Sequence, residues 1–347
     1  ISVVLVQDLV LSGWFNKSND NITNQYDDWG RKSMKRREFI QWTAAGSLTL
    51  MGLSGCGGNP APKDAAVPAK PVDSPAKATA SSAPPMVVVN GTDPNELMAR
   101  GLQAMGGIGR FVRQGQTVVI KPNFSVPRTP EQAATTNPDM VAALVKHCLG
   151  AGAKTVKVID NPFTNAQMCL ENTGIRRAVE AAGGKIFATN KLSGEFYSAV
   201  NAGGSILQSL QFSKDVLEAD VFINFPILKH HNGAGLTMGL KNMMGLVWDR
   251  GFFHRTDLHR TIAELSAFKK PHLIILDAVR GITTHGPMGP GTIREYKQLI
   301  FSTDPVALDA YGAELFGLKP ADIAHIAIAA ELGIGSLDWK RLNPVRV

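Results

Sequence analysis

The sequence predicts an α/β protein with a mostly parallel sheet, helices on both faces, and one globular domain after a signal and a disordered linker. Strand and helix patterns alternate from about Val87 onward. The strand patterns, such as Val221–Phe225, are almost continuously apolar. Strands of this kind are typical of parallel sheets, which are covered on both faces.

The first 86 residues are predicted to lie outside that domain. Residues 1–33 carry no coherent pattern, and we interpret them as over-extended translation ahead of a start at Met34. Residues 34–56 are typical of a twin-arginine export signal whose short apolar run ends in a lipobox-like Leu-Ser-Gly-Cys56. Residues 57–86, rich in Pro and Ala, predict a disordered linker. Residues 87–347 form the predicted α/β domain.

These signals predict where the protein resides and which partners it meets. The twin-arginine export machinery would carry it across the cytoplasmic membrane, and a lipid on Cys56 would anchor it on the periplasmic or cell-surface side. The net charge of +7 is modest for 347 residues, and no basic run beyond the signal is interleaved with aromatic residues. Nucleic acid is therefore not expected as a partner.

Local signals place the individual elements. Asp93, Asn137 and Asp304 each precede a proline and are assigned as helix N-caps. Residues 192–211 fit either a hairpin or an excursion at the sheet edge. Strands are predicted over residues 87–89, 117–120, 155–159, 185–188, 221–225, 273–276 and 299–301. Helices are predicted over residues 93–105, 137–149, 172–182, 257–268, 304–316 and 320–332.

Four predicted strands are each followed by polar residues. Because the carboxyl ends of parallel strands meet at one edge of a sheet, we expect these side chains to line a single crevice. One charged residue at a strand end simply marks where the sheet meets water, but the agreement of four strands favours a binding site. The residues are Lys121 and Asn123, Asp160 and Asn161, the run Lys229-His230-His231, and Asp277 with Arg280.

Residues 219–245 hold the densest group of candidates. If residues 236–244 form a helix, Thr237 and Lys241 stand four residues apart on one face. A glycine-rich turn that leads into a helix N-terminus offers free backbone N–H groups, so this stretch predicts an anion site. Its polar and turn residues are, in order, Lys229, His230, His231, Gly235, Thr237, Lys241 and Asn242.

A divalent metal is a second prediction for the same edge of the sheet. His230 and Asp277 offer suitable donor types, although the adjacent rings of His230 and His231 point apart, so that at most one is a ligand. The sequence contains no zincin, Walker, dinucleotide or serine-hydrolase motif. Beyond Cys56, Cys148 and Cys169 are too few for an all-cysteine iron–sulfur cluster, and we expect no disulfide between them.

Several motifs occur in order along the chain, among them Lys121-Pro122-Asn123, Thr136-Asn137-Pro138 and Ser302-Thr-Asp304-Pro-Val-Ala-Leu-Asp309. They resemble the family of domain of unknown function 362 (DUF362), which implies an α/β domain but no settled activity. Many relatives carry a ferredoxin-like cysteine cluster that this chain lacks, so electron transfer is not implied. A fainter similarity to nickel-dependent lactate racemases would make Lys241 the attachment lysine of a covalent pincer cofactor, and His230 or His231 a ligand or base. The DUF362 resemblance also includes Asn224-Phe-Pro-Ile-Leu-Lys229-His-His and Leu236-Thr237-Met-Gly239-Leu-Lys241-Asn242-Met-Met-Gly245.

Together these patterns predict a lipid-anchored protein that binds a small carboxylate or phosphate. Lysines would hold the anion, one histidine would serve as general acid or base, and acidic residues would orient them or ligate a metal. The alternative is a non-catalytic lipoprotein that captures an anion and presents it to a membrane partner. The candidate catalytic residues are His230, His231, Lys241 and Asp160, and the candidate ligand-binding residues are Lys121, Asn123, Lys229, Gly235, Thr237, Asn242 and Arg280.

Overall fold

The computed structural model of the protein describes residues 83–189 and 194–347. The predicted export signal, the lipobox and nearly all of the linker therefore lie outside the described residues. The strands are β1 (Met86–Asn90), β2 (Thr117–Pro122), β3 (Thr155–Asp160), β4 (Lys185–Ala188), β5 (Tyr197–Asn201), β6 (Ser209–Ser213), β7 (Val221–Phe225), β8 (Lys229–His231), β9 (Gly235–Thr237), β10 (Leu273–Ile282), β11 (Ile293–Ser302) and β12 (Val345–Arg346).

Helices alternate with the strands along most of the chain. In the described part of the chain, no helix combines the length and the hydropathy that crossing a bilayer requires. The helices are α1 (Pro94–Ala104), α2 (Pro138–Gly150), α3 (Ala166–Asn172), α4 (Ile175–Ala181), α5 (Lys214–Glu218), α6 (Gly239–Asn242), α7 (Arg250–Arg255), α8 (Leu258–Phe268), α9 (Pro305–Phe316) and α10 (Ala324–Glu331).

The main sheet has eight strands in the order β12-β1-β11-β10-β7-β2-β3-β4. Strands β10, β7, β2, β3 and β4 run parallel to one another, whereas β11 is antiparallel to both β10 and β1. The prediction of a mostly parallel α/β sheet is confirmed. The parallel strands carry their carboxyl ends to one edge, which is where the predicted site residues follow.

Both faces of the sheet are covered by helices. Val119 and Phe222 pack into the core that contains the apolar residues of α8 and α9. Their neighbours Val118 and Val221 point the other way, into the core formed with α1 and α2. This alternation is the period of two expected of strands, and burial on both faces explains why the strand patterns are continuously apolar.

The predicted helix caps are confirmed, while several boundaries differ. Asp93, Asn137 and Asp304 each accept a hydrogen bond from a backbone N–H in the first turn of α1, α2 and α9. The helix predicted over residues 172–182 begins only at Ile175, because Gly174 has a φ of 71° and separates it from α3, which ends at Asn172. Strands β5 and β6 form a hairpin, which is one of the two structures expected for residues 192–211.

Candidate functional site

A buried ion pair lies at the carboxyl ends of β2 and β3. Lys121 Nζ is 2.9 Å from Asp160 Oδ1, and both side chains are buried. Asp160 also accepts hydrogen bonds from the backbone N–H groups of Phe124 and Asn161 and from Ser125 Oγ. A carboxylate has about four lone-pair positions, and these four donors fill them. Asp160, a predicted catalytic residue, is placed where it anchors the two strand ends.

Asn242 connects this ion pair to β7. Its Oδ1 accepts hydrogen bonds from Lys121 Nζ and Asn123 Nδ2, both at 3.1 Å. Its Nδ2 donates to the carbonyl of Lys121 and to Asn224 Oδ1, and Asn224 in turn donates to the carbonyl of Gly239. The polar atoms of Asn242 are engaged within the protein, so this predicted ligand-binding residue holds the lysine-bearing segments in register.

Lys229 is buried and bound to three oxygen atoms. Its Nζ donates to Asn123 Oδ1 at 3.2 Å and to the carbonyls of Ala134 and Pro287 at 2.6 and 3.1 Å. Burial and then the charge on Lys241 lower the pKa of Lys229 to about 7. The ammonium is thus held in one orientation by neutral acceptors that do not balance its charge.

Lys241 has a different environment from the other two lysines. Its Nζ lies 3.6 Å from Met244 Sδ, and within the described residues it has no oxygen acceptor and no ion pair. Burial, followed by the charges of Arg250 and Lys121, lowers the pKa of Lys241 to about 7. The side chain is 9% exposed, so a small ligand that reached it would meet an amine with unused hydrogen-bonding capacity.

His231 is a neutral ring beside these lysines. Its Nδ1 accepts hydrogen bonds from the backbone N–H groups of Gly233 and Ala234 at 3.0 and 3.1 Å. Burial and then the charges of Lys241 and Lys229 lower the pKa of His231 to about 2. With Nδ1 serving as an acceptor, the proton of the neutral ring is on Nε2. His231 can donate a hydrogen bond to a ligand, but its geometry does not suit the predicted role of general base.

His230 is turned away from Lys229 and His231, because successive side chains of a strand point to opposite sides. Its Nδ1 accepts a hydrogen bond from the backbone N–H of Gly286 at 3.1 Å. The carbonyl of Pro287, in the same loop between β10 and β11, accepts a hydrogen bond from Lys229. This loop therefore holds both His230 and Lys229 in place. The glycine-rich loop noted in the sequence acts here as a support for β8.

Asp277 and Arg280 lie at a neighbouring position and do not contact the lysines. Asp277 Oδ2 accepts a hydrogen bond at 3.0 Å from the N–H of Asn137, which is the N-cap of α2. Burial raises the pKa of Asp277 to about 6, against the effect of its backbone hydrogen bonds. Arg280 donates to the carbonyl of Pro130. Among residues 83–189 and 194–347, no group of three or more His, Cys, Asp and Glu side chains could hold a metal ion.

The glycine-rich turn differs from its prediction. Residues 236–244 do not form one helix, because the segment begins as β9 and only then enters the short helix α6. The backbone N–H groups of Gly239 and Leu240 donate to the carboxylate of Asp309 at 2.7 and 2.9 Å. The expectation that these groups are free to bind a ligand is wrong, since the buried Asp309 of α9 already occupies them.

Thr237 brings an unpaired hydroxyl to the lysine cluster, which consists of Lys121, Lys229 and Lys241. Strands β8 and β9 are antiparallel with Lys229 directly opposite Thr237, which places the two side chains on the same face. Gly235, with a φ of 74°, allows the tight turn that brings β9 back. Thr237 is 4% exposed, and its Oγ1 has no hydrogen-bond partner in the part of the chain that the structure describes.

Two further residues complete the site. Arg250 contributes positive charge close to the lysines and lies 5.5 Å from the centre of the Phe163 ring. No pattern in the sequence around Arg250 indicated this position. Gly245 packs directly on the ion pair, because an added Cβ would lie 2.2 Å from Asp160 Oδ1 and 2.5 Å from Lys121 Cε. The glycine in the Met-Met-Gly sequence was the available signal for that close approach.

Comparisons with known proteins relate the chain to a family. The family model described as "Domain of unknown function (DUF362)" matches residues 118–314. The thylakoid-associated protein sll1697 of Synechocystis sp. (strain ATCC 27184 / PCC 6803 / Kazusa) is 32% identical over 242 residues, which cover 67% of this chain and 73% of that protein.

Among solved structures, the lactate racemase apoprotein from Thermoanaerobacterium thermosaccharolyticum matches with a TM-score of 0.44 and 12% identity. The match covers 66% of this chain and 56% of the racemase chain, so this chain spans little more than half of that structure. The family match includes the carboxyl ends of β2, β3 and β7 and the whole lysine cluster. The chain belongs to the DUF362 family.

Proposed function

We propose that this protein binds a small anion, a carboxylate or a phosphate, between Lys229, Lys241 and Thr237. The observation that carries the proposal is Lys241, a buried amine whose hydrogen-bonding contact within the described residues is a sulfur atom. The neighbouring Thr237 hydroxyl also lacks a partner there. Oxygen atoms of an anion would accept hydrogen bonds from both groups, and a buried donor without an acceptor is costly.

The charge balance supports an anion rather than a neutral ligand. Lys121, Lys229, Lys241 and Arg250 lie close enough to influence one another's pKa values. The carboxylate in contact with this group, Asp160, is already saturated by its four donors. A negative charge within about 4–6 Å would favour the ammonium forms, so a bound anion would raise the pKa values of the lysines.

Catalysis on the bound anion is the first candidate activity. Groups whose pKa lies near the working pH are the most effective acids and bases, and burial brings Lys229 and Lys241 to that range. Lys241 takes the role of general acid or base that was predicted for a histidine, because His231 Nδ1 is occupied by backbone N–H groups. A metal-assisted reaction has less support, since the described residues do not assemble a set of metal ligands.

The second candidate is capture of the anion without chemistry, followed by its presentation to a membrane partner. One observation favours it: Asp160 and Asn242, which both contact Lys121, use their hydrogen-bonding capacity within the protein. Groups held in this way are suited to keeping a binding site rigid. Turnover of a bound acid would separate the two candidates, because capture predicts tight binding with no product.

Export and lipid anchoring are also part of the proposal. Their support is the twin-arginine motif at Arg36 and Arg37 and the lipobox-like sequence that ends at Cys56. The name of the relative in Synechocystis describes that protein as thylakoid-associated, which agrees with a place at a membrane. The proposed site would then face the periplasm or the cell exterior.

Isothermal titration calorimetry of the intact protein with acetate and with inorganic phosphate tests the anion site. The Lys241→Met variant keeps an unbranched side chain but loses the amine. We expect at least tenfold weaker binding of the better anion, equivalent to about 1.4 kcal/mol. Lys319→Met, which removes an exposed lysine, is the matched control and should bind like the wild type. Equal affinities for the wild type and Lys241→Met would contradict the proposal.

A further inference from the structure

We infer that Lys241 is a nucleophile that forms an imine with the carbonyl carbon of a small keto acid. The inference rests on the proposed anion site and names its substrate class, a carboxylate that also carries a ketone or aldehyde group. Its basis is the contrast between three neighbouring lysines that the fold places in different hydrogen-bonding environments.

Lys121 and Lys229 are both fully committed as donors. Lys121 Nζ donates to Asp160 Oδ1, to the carbonyl of Pro122 and to Asn242 Oδ1. Lys229 Nζ donates to one amide oxygen and two carbonyls. An ammonium has three N–H donors, and in each residue all three are used. A lysine whose three N–H groups are all used can attract an anion through its charge, but it has no lone pair directed at a carbonyl carbon.

Lys241 is left without an oxygen acceptor in the described part of the chain. Its hydrogen-bond contact there is the thioether of Met244 at 3.6 Å, a weak acceptor that does little to stabilise an ammonium. No Asp or Glu of the described residues forms an ion pair with it, whereas Lys121 has Asp160. The environment therefore favours the neutral amine, which is the form that attacks a carbonyl.

Neighbouring cations act in the same direction. Burial and the charges of Arg250 and Lys121 disfavour protonation of Lys241, so its pKa falls to about 7. A lysine that is desolvated or placed beside another cation is a recognised form of activated nucleophile. His231 is neutral in this environment and offers an Nε2–H donor, not a carboxylate that would keep the amine protonated.

The same cluster can hold the rest of a keto acid. The Thr237 hydroxyl has a free donor for the carboxylate of the substrate, and Lys229, on the same face of the β8–β9 ribbon, adds a positive charge beside it. The amine nitrogen of Lys241 forms a bond to the carbonyl carbon and loses two protons. The carbonyl oxygen takes up two protons and leaves as water. The step is a condensation with no net oxidation or reduction, so it needs no further reactant.

Reductive trapping tests this inference directly. The intact protein is incubated with pyruvate and sodium cyanoborohydride, which reduces an imine to a stable secondary amine, and is then examined by intact mass measurement and peptide mapping. We expect one carboxyethyl group per chain, attached to Lys241. Lys241→Arg retains a positive charge but has no nucleophilic amine, so it should lose the modification while acetate still binds. Acetate itself, which has no ketone, should leave no adduct.

Parallel calorimetry separates the two proposals. If acetate and pyruvate bind but the label is absent or spread over exposed lysines, the imine is overturned and the anion site stands. If neither acid binds, both proposals fail. Peptide mapping of the wild type locates the label even where Lys241→Arg does not fold, because it needs no variant.

Discussion

A buried lysine without an acceptor lowers the stability of the free protein and strengthens the binding of a ligand that supplies the acceptor. The free energy that Lys241 loses on leaving water is not recovered from Met244 or from a nearby carboxylate within the described residues. Lys229 recovers part of it from three neutral oxygens. A protein that retains such a group gives up stability for a site that responds to negative charge.

At the scale of single residues, the prediction concerns the dependence of stability on pH. Lys229 and Lys241 have a folded-state pKa of about 7, below the value of 10.5 expected for the unfolded chain. Between these values the unfolded chain binds more protons than the folded protein, so the free energy of unfolding rises with pH from about 7 to 10.5. Below about pH 7 both states are protonated, and the two lysines no longer make the stability depend on pH. Lys241→Met should remove part of this slope and raise the Tm at about pH 6, where the wild type must bury a charge.

Thermal unfolding of the wild type, Lys241→Met and the control Lys319→Met at about pH 6 and about pH 9 measures this effect. The quantity of interest is the difference in Tm between wild type and variant at each pH, which removes the contributions of other titrating groups. An identical pH dependence for wild type and Lys241→Met would show that the amine stays protonated in the folded protein.

At the scale of elements, the segment from β7 to α6 and the turn that follows it is shaped by long-range contacts. Asp309 of α9 binds the N–H groups at the start of α6, and Asn242 at its end binds β2 and β7. Gly245 then passes so close to Lys121 and Asp160 that no side chain fits. The buried ion pair and the backbone of this segment therefore determine each other's position.

Gly245→Ala should disturb this arrangement. Its Cβ would lie 2.2 Å from Asp160 Oδ1, so the ion pair or the backbone must move, and overpacking of this kind costs about 1–3 kcal/mol. We expect a lower free energy of unfolding in urea and weaker anion binding by calorimetry.

Gly150→Ala is the matched control, because Gly150 ends α2 and an added Cβ there meets nothing within 4 Å. It should leave anion binding unchanged and alter stability little. A Gly245→Ala protein with the stability and affinity of the wild type would show that the close approach is not required.

At the scale of the whole molecule, one edge of the parallel sheet collects the residues of the site. Strands β2, β3 and β7 end beside one another, and the extension of β7 through β8 adds Lys229 and His231. Strand β10 passes the same edge, but Asp277 contacts the start of α2 instead of the lysines. Asp277, Lys121 and Lys229 each follow a predicted strand in the sequence, but the folded sheet keeps Asp277 apart from the lysines.

The prediction at this scale concerns location. If Cys56 is lipidated, the wild type should sediment with membranes and release into detergent, whereas Cys56→Ala should appear in the soluble exported fraction. Ser81→Ala, in the same amino-terminal stretch, is the control and should remain with the membranes. Mass spectrometry of the amino-terminal peptide provides an independent check, since an unmodified Cys56 in the mature protein would contradict lipid anchoring.

Local features could be predicted from the sequence because they depend on residues close along the chain. Asp93 caps a helix through the N–H of Glu96, three residues away, and Asn137 does the same two residues away. The approach of Lys121 to Asp160 also followed from the sequence, since parallel strands must end at one edge. The role of Asp309 could not be predicted, because its two donors lie about seventy residues earlier in the chain.

The sequence by itself determined the alternation of strands and helices, the caps, and the gathering of polar residues at the carboxyl edge of the sheet. These features arise from hydrophobic periodicity and from hydrogen bonds between near neighbours, which short stretches of chain already contain. Only the tertiary structure decided which polar group is satisfied and which is left with unused capacity. Acceptors for Lys121 and Lys229 come from distant segments, and burial sets the pKa values, so the distinct state of Lys241 exists only once the chain has folded.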